Sequence, residues 1–310
     1  MSRSVRSLAV TLVLLTGAAP WSSAGASGLT PLPAPRSISS FITPALPSEG
    51  AWATEGRRVH GVPAIYTTFL RPPQNTGVRA GVAWIDPRLL RATLYSGSLS
   101  PGGYFWKLTA PVSRAASQSL VAAFNGGFLL KDSHGGYFSE HHLVSALVPG
   151  AASLALYRDG TMALGAWGRD LSMTPAVVAV RQNLTLLVDH GAPVAGLSRY
   201  DIAAWGFALN KVVDTPRSAL GVTASGAFVY VEGPMNVTDL ARLLVRVGAV
   251  RGMVLDMNPL WPIFATYTPA SPTGYASAGN GRDLTSSMLQ TPARFFAPAY
   301  SRDFITLSSR

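Results

Sequence analysis

The sequence predicts an α+β protein, a mixed and largely antiparallel sheet with packed helices in a single domain. Three observations lead there. Short apolar runs recur with turn residues between them. Helical periodicity is confined to a few segments. Hydrophobic residues make up 48% of the 310 and charged residues only 13%, which supports a large core and argues against disorder.

The elements follow in order. "GVAWID" (81–86) and "RATLYSG" (91–97) read as strands on either side of the turn "PRLL". "APVSRAASQSLVAA" (110–123) opens with proline and reads as a helix running into a buried strand. "SLALYRDGTMALGAW" (153–167) predicts a hairpin, with Asp159-Gly160 between two apolar runs. "AVVAVRQNLTLLVDHGAPV" (176–194) predicts another around Gln182-Asn183, and "SALGVTASGAFVYVEG" (218–233) a third around Ser225-Gly226. "NVTDLARLLVRVGAV" (236–250) is amphipathic; Asn236 or Thr238 can cap it and Gly248 can end it. It leads into the apolar run Met253–Leu255 and then Asp256.

Residues 1–26 read as a secretory signal peptide: Arg3 and Arg6, the apolar "LAVTLVLLTGAA", and a small-residue site at Ala24–Ala26. An uncleaved anchor is the alternative. No later apolar run is long enough for a membrane helix. Residues 27–60 are rich in Pro, Ser and Gly and read as an arm or linker, leaving 61–310 as the domain. An exported chain without cysteine suits a bacterial protein, secreted or held at the cell envelope, and the excess of arginine over lysine suits a GC-rich genome. The net charge of +10 favours anionic partners such as a cell-wall polymer. The arginines are scattered without aromatic interleaving, which argues against nucleic acid.

Four stretches hold candidate chemistry. "FNGGF" (124–128) follows an apolar strand, and Gly126 and Gly127 after Asn125 allow a tight turn and a close backbone approach to a ligand. "TPRSALGV" (215–222) sets Arg217 at a strand edge, where a guanidinium suits a phosphate or carboxylate. "DSHGGYFSEHH" (132–142) holds His134, His141 and His142, but no metal-ligand spacing, and reads as a glycine-rich loop. "LDMNPLW" (255–261) ends an apolar run on Asp256, followed by Asn258 and Trp261. Around "WGRDL" and "VRQNL", Arg169, Asp170, Arg181, Gln182 and Asn183 read mostly as surface or turn residues. Markers of serine hydrolases, P-loop enzymes and CxxC thiol chemistry are missing from the sequence. No cofactor is expected; a divalent cation near Asp256 and Asn258 stays open, as hard cations take oxygen ligands.

Together "NGGF" (125–128), "RSALG" (217–221) and "GAVRGMVLD" (248–256) resemble, in order and spacing, the phosphodiester glycosidase family. The resemblance spans about residues 80–270 and implies hydrolysis of a sugar-1-phosphodiester. It brings Asn125, Arg217 and Asp256 to one cleft. A phosphate is a good leaving group, so one carboxylate suffices where ordinary glycosidases use two. Asp256 then directs water or stabilises the oxocarbenium-like centre, Arg217 holds the departing phosphate, and Asn125 binds a sugar hydroxyl. Glu232, ending "FVYVEG", is the second carboxylate, and His141 or His142 the proton shuttle. The family follows its aspartate with glycines, whereas this chain has "MNPLW" (257–261), the mark of a divergent, actinobacterial-type branch. That departure raises an alternative: a non-catalytic glycan-binding protein on the same fold, with Trp167, Trp205 and Trp261 as stacking faces.

Overall fold

The computed structural model describes residues 30–103, 105–206, 212–298 and 300–310. The predicted signal peptide lies outside them. The strands are β1 (Ala53–Glu55), β2 (Ile65–Leu70), β3 (Ala80–Ile85), β4 (Leu90–Tyr95), β5 (Leu120–Asn125), β6 (Tyr137–Ser139), β7 (His142–Ser145), β8 (Ala152–Tyr157) and β9 (Met162–Ala166). They continue with β10 (Val177–Gln182), β11 (Leu186–Asp189), β12 (Ala192–Pro193), β13 (Thr215–Thr223), β14 (Phe228–Met235), β15 (Ala249–Val254), β16 (Phe264–Tyr267), β17 (Gly281–Asp283) and β18 (Phe304–Ser309). Helices are α1 (Arg114–Ser117), α2 (Ile202–Trp205) and α3 (Val237–Arg246).

The architecture corrects the α+β expectation. Strands dominate, α1 and α2 are single turns, and α3 is the one packed helix of any length among the described residues. The sheets are not mixed either. Every named strand pair is antiparallel, and parallel pairing occurs only at isolated bridges. An eight-stranded sheet runs β1-β2-β3-β14-β13-β15-β11-β12; one five-stranded sheet runs β7-β6-β10-β8-β9 and the other β17-β16-β5-β18-β4.

Burial on both faces explains why the central strands read as unbroken apolar runs. Along β14, Phe228 and Tyr230 face the core shared with the five-stranded sheets, where they meet Phe124, Leu154 and Ile305. Val229 and Val231 point the other way, onto Leu240 and Leu244 of α3. The helix forms where its sequence predicts. Asn236 caps it by accepting a bond from the Asp239 N–H at 2.9 Å, and Gly248 ends it at φ +94°.

The hairpins at 153–167 and 218–233 form, as β8–β9 and β13–β14. The hairpin expected at 176–194 does not. β10 pairs with β6 and β8, while β11 pairs with β15 and β12 in the other sheet. The crossing point is Asn183, whose side chain is committed to backbone groups of two other segments. Likewise β3 and β4 flank one turn but join different sheets. The Pro- and Ser-rich stretch is packed from residue 31 onward, within the compact unit Pro31–Arg310. The Leu32 N–H donates to Asp86 Oδ2 at 2.7 Å, and Glu49 pairs with Arg71 at 3.0 Å. No helix among the described residues is long and apolar enough to cross a membrane.

Candidate functional site

Four chain segments converge at one end of the sheets: the ends of β5, β10 and β15, and the residues entering β18. Asp256 lies two residues past β15 and is 1% exposed. Its Oδ1 accepts the N–H groups of Met257 and Asn258, both at 2.8 Å. Its Oδ2 accepts from Arg302 Nη2. Burial pulls the Asp256 pKa up while Arg302 and the two amides pull it down, and the balance leaves it above the ordinary carboxylate value. Arg302 stacks its guanidinium 4.9 Å from the Trp261 ring centroid. Its buried Nε has no hydrogen-bond partner.

Asp256 and Arg302 open onto a cavity of about 380 Å³, lined also by Lys131, Asp132, His134, Met257 and Asn258. The polar lining mixes a pinned carboxylate with cationic side chains, a combination suited to an anionic ester.

Directly behind this cavity lies a second ion pair. Arg181 Nε donates to Asp303 Oδ2 at 2.8 Å, Nη1 to the Gln182 carbonyl at 2.6 Å, and Nη2 to the Phe128 carbonyl. Both residues are at most 1% exposed. This pair explains the two glycines of "NGGF". A Cβ on Gly126 would stand 2.0 Å from Asp303 Oδ2, and one on Gly127 would stand 2.8 Å from Arg181 Cζ. The close approach predicted from the glycines exists, but to a buried ion pair rather than to a ligand. Asn183 ties the turn to the Asp256 strand: its Oδ1 accepts the Phe128 N–H at 3.1 Å, and its Nδ2 donates to the Val254 carbonyl at 2.8 Å. Arg181, Gln182 and Asn183, expected mostly at the surface or in turns, are all buried.

The other sequence candidates separate. Asn258 lines the cavity. Asn125 does not: its Nδ2 donates to the Gly126 carbonyl and Ser218 Oγ, and its Oδ1 accepts from Tyr230 Oη and the Ile263 N–H. Its capacity for hydrogen bonds is used up in holding strands together. Glu232 faces the core between the sheets, fully buried beside Tyr230, whose hydroxyl donates to Oε2 at 3.0 Å. Burial raises its pKa well above the ordinary carboxylate value, and its Oε1 has no hydrogen-bond partner. Arg217 sits behind Met257, donating to the Met235 carbonyl at 3.0 Å and to Met257 Sδ at 3.5 Å. Burial lowers its pKa to about 10.

His141 is exposed at the β6–β7 turn and does not line the cavity. The His142 ring lies 4.5 Å from that of Phe105. The histidine that lines the cavity is His134. Trp261 does not line it, and its ring faces are engaged by Arg302 and by Arg294 at 5.4 Å. Trp167 and Trp205 are buried in the core. A divalent cation beside Asp256 would displace a guanidinium already held there, and no group of three or more His, Asp or Glu among the described residues could hold a metal.

Sequence reasoning missed Arg302 and Asp303. Their one signal is "SRDF" (301–304), two opposite charges at the start of an apolar run.

The pattern of the phosphodiester glycosidase family matches residues 118–256. No curated protein matches the chain. Among solved structures, it is similar to the zebrafish N-acetylglucosamine-1-phosphodiester alpha-N-acetylglucosaminidase catalytic domain auto-inhibited by pro-peptide. That likeness has 15% identity and a TM-score of 0.48, over 84% of this chain and 88% of that one. A hypothetical protein from Synechocystis is similar at 13% identity and a TM-score of 0.48, over 83% of this chain and 64% of that one. The chain resembles the phosphodiester glycosidase family, and the resemblance rests on the stretch 118–256, which ends on Asp256 itself.

Proposed function

We propose that the chain is an exported hydrolase that cleaves a glycosyl phosphodiester in the cavity at Asp256 and Arg302. The observation that carries this reading is a buried carboxylate, pinned by two backbone amides and a guanidinium, in a cavity that also presents Lys131 and His134. In this scheme Arg302 and Lys131 take the phosphate, as charge-assisted donors do. Asp256, held rigid, faces the anomeric carbon and stabilises positive charge as it develops. Water adds to that carbon while its bond to the phosphate oxygen breaks. The electron pair leaves with the phosphate, and the proton from water passes to His134. Arg217 is too deeply placed behind Met257 to be the first phosphate ligand.

Export rests on the signal-like residues 1–26, and an anionic cell-wall or extracellular glycan on the net charge of +10. The test is hydrolysis of sugar-1-phosphodiesters by the purified chain beside Arg302→Ala and Arg217→Ala. Turnover lost in Arg302→Ala and kept in Arg217→Ala supports the assignment. Equal loss in both would return the phosphate to Arg217.

One observation favours a second reading, a glycan-binding protein without turnover. Met257 occupies the place where the family has glycine, and its thioether closes over Arg217. Saturable glycan binding with no hydrolysis of any sugar-1-phosphodiester would establish that reading instead.

A further inference from the structure

We propose that the groove beside the cavity is a binding site for an apolar aglycone, so that the substrate is a sugar phosphodiester of an alkyl or isoprenyl alcohol. This deepens the phosphodiester reading and rests on it. The groove measures about 330 Å³ and is lined by Val148, Pro149, Gly150, Leu184, Thr185 and Ala203, and by His134. His134 and Ala203 line the Asp256 cavity as well, so the two spaces are adjacent and share a boundary at these two residues. A phosphodiester held at Arg302 has two ester arms. With the sugar at Asp256, the shared boundary at His134 directs the other arm into the groove.

The groove's chemistry is unlike the cavity's. Among the described residues no Asp, Glu, Lys or Arg lines it, and His134 is the one titratable side chain that does. Val148 is 40% exposed there. Its wall is fixed from behind: the buried Gln182 accepts the Val148 N–H at 2.7 Å and donates to the Val148 carbonyl at 3.2 Å. Leu184 is anchored by its N–H, which donates to the Ser133 carbonyl at 2.6 Å. A preformed apolar wall beside a polar cavity that holds Arg302 and Lys131 recognises a chain with a phosphate at one end.

The experiment is calorimetric titration of the full chain with methyl, butyl and octyl phosphate, for the wild type, Thr185→Trp and Val148→Glu. Affinity is expected to rise about threefold to fourfold per methylene that enters the groove. Both variants should bind methyl phosphate like the wild type and lose the gain with chain length. Equal affinity for the three ligands, a gain that survives both substitutions, or no saturable binding of any of them overturns the proposal. Hydrolysis of an aryl sugar-1-phosphodiester by the same preparation tests the reaction separately. Turnover without a chain-length gain removes the groove and keeps the hydrolase; a chain-length gain without turnover keeps the groove and removes the hydrolase.

Discussion

Arg302 and Asp303 are neighbours in the chain, yet each belongs to a different ion pair. Asp303 meets Arg181 in a closed interior, where the guanidinium also donates to two carbonyls. Arg302 meets Asp256 at the wall of a cavity, with one nitrogen left unpartnered. The first pair is enclosed on all sides and the two glycines of the turn are shaped around it. The second is open to whatever enters. Pairing alone therefore does not mark a functional site; access does. A buried pair with all its bonds made serves as scaffold, while a buried pair facing a cavity can exchange one partner for a ligand.

The sharpest way to break this comparison is Asp303→Ala. It strands the Arg181 charge in the interior, and about 3–5 kcal/mol of stability should be lost in urea unfolding. Wild-type stability in that variant would remove the scaffold role. Next comes Asp256→Asn. Turnover should fall by roughly two to three orders of magnitude, the loss expected when one preorganised charge is removed. Its unfolding midpoint should fall far less than that of Asp303→Ala, because water in the cavity can hydrate Arg302. Similar midpoints for the two variants would erase the distinction.

Gly126→Ala should cost about 1–3 kcal/mol, since its methyl group is driven onto Asp303. The same substitution in an Asp303→Ala background should cost less, and a double-mutant cycle reads the difference.

The smallest effect concerns pH. Burial raises the Asp283 pKa to about 6, whereas in the unfolded chain it titrates near 3.8, the ordinary value for an aspartate. The folded protein therefore holds a proton that the unfolded chain releases. The stability this contributes is full below about pH 4 and is lost as pH rises through about 6. Asp283→Asn should flatten that part of the profile of urea midpoints against pH. An unchanged profile would show that Asp283 titrates normally.

Much of this arrangement was legible in the order of residues. The turns at Asp159-Gly160 and Ser225-Gly226 and the cap at Asn236 are local, so neighbouring residues suffice to read them. Asp256 was visible as a carboxylate at the end of an apolar run. Its partner Arg302 was not, because it lies 46 residues away, and Arg181 and Asp303 are 122 apart. Glu232 misled for a related reason. A strand-end carboxylate looks the same in sequence whether it faces a cavity or the gap between two sheets.

By itself the sequence determined the strands of the hairpins at 153–167 and 218–233, where α3 begins and ends, and the "NGGF", "RSALG" and "VLD" pieces that carry the resemblance to the family. These depend on side-chain period, turn residues and caps, all set within a few positions. It did not show β2, β6, β16 or β18. Only the tertiary structure decided which strands share a sheet, that Asn125 and Glu232 are interior groups, and that Arg302 rather than Arg217 stands at the cavity with Asp256. Those outcomes depend on burial and on charges paired across long stretches of chain, and burial exists only once the sheets have packed.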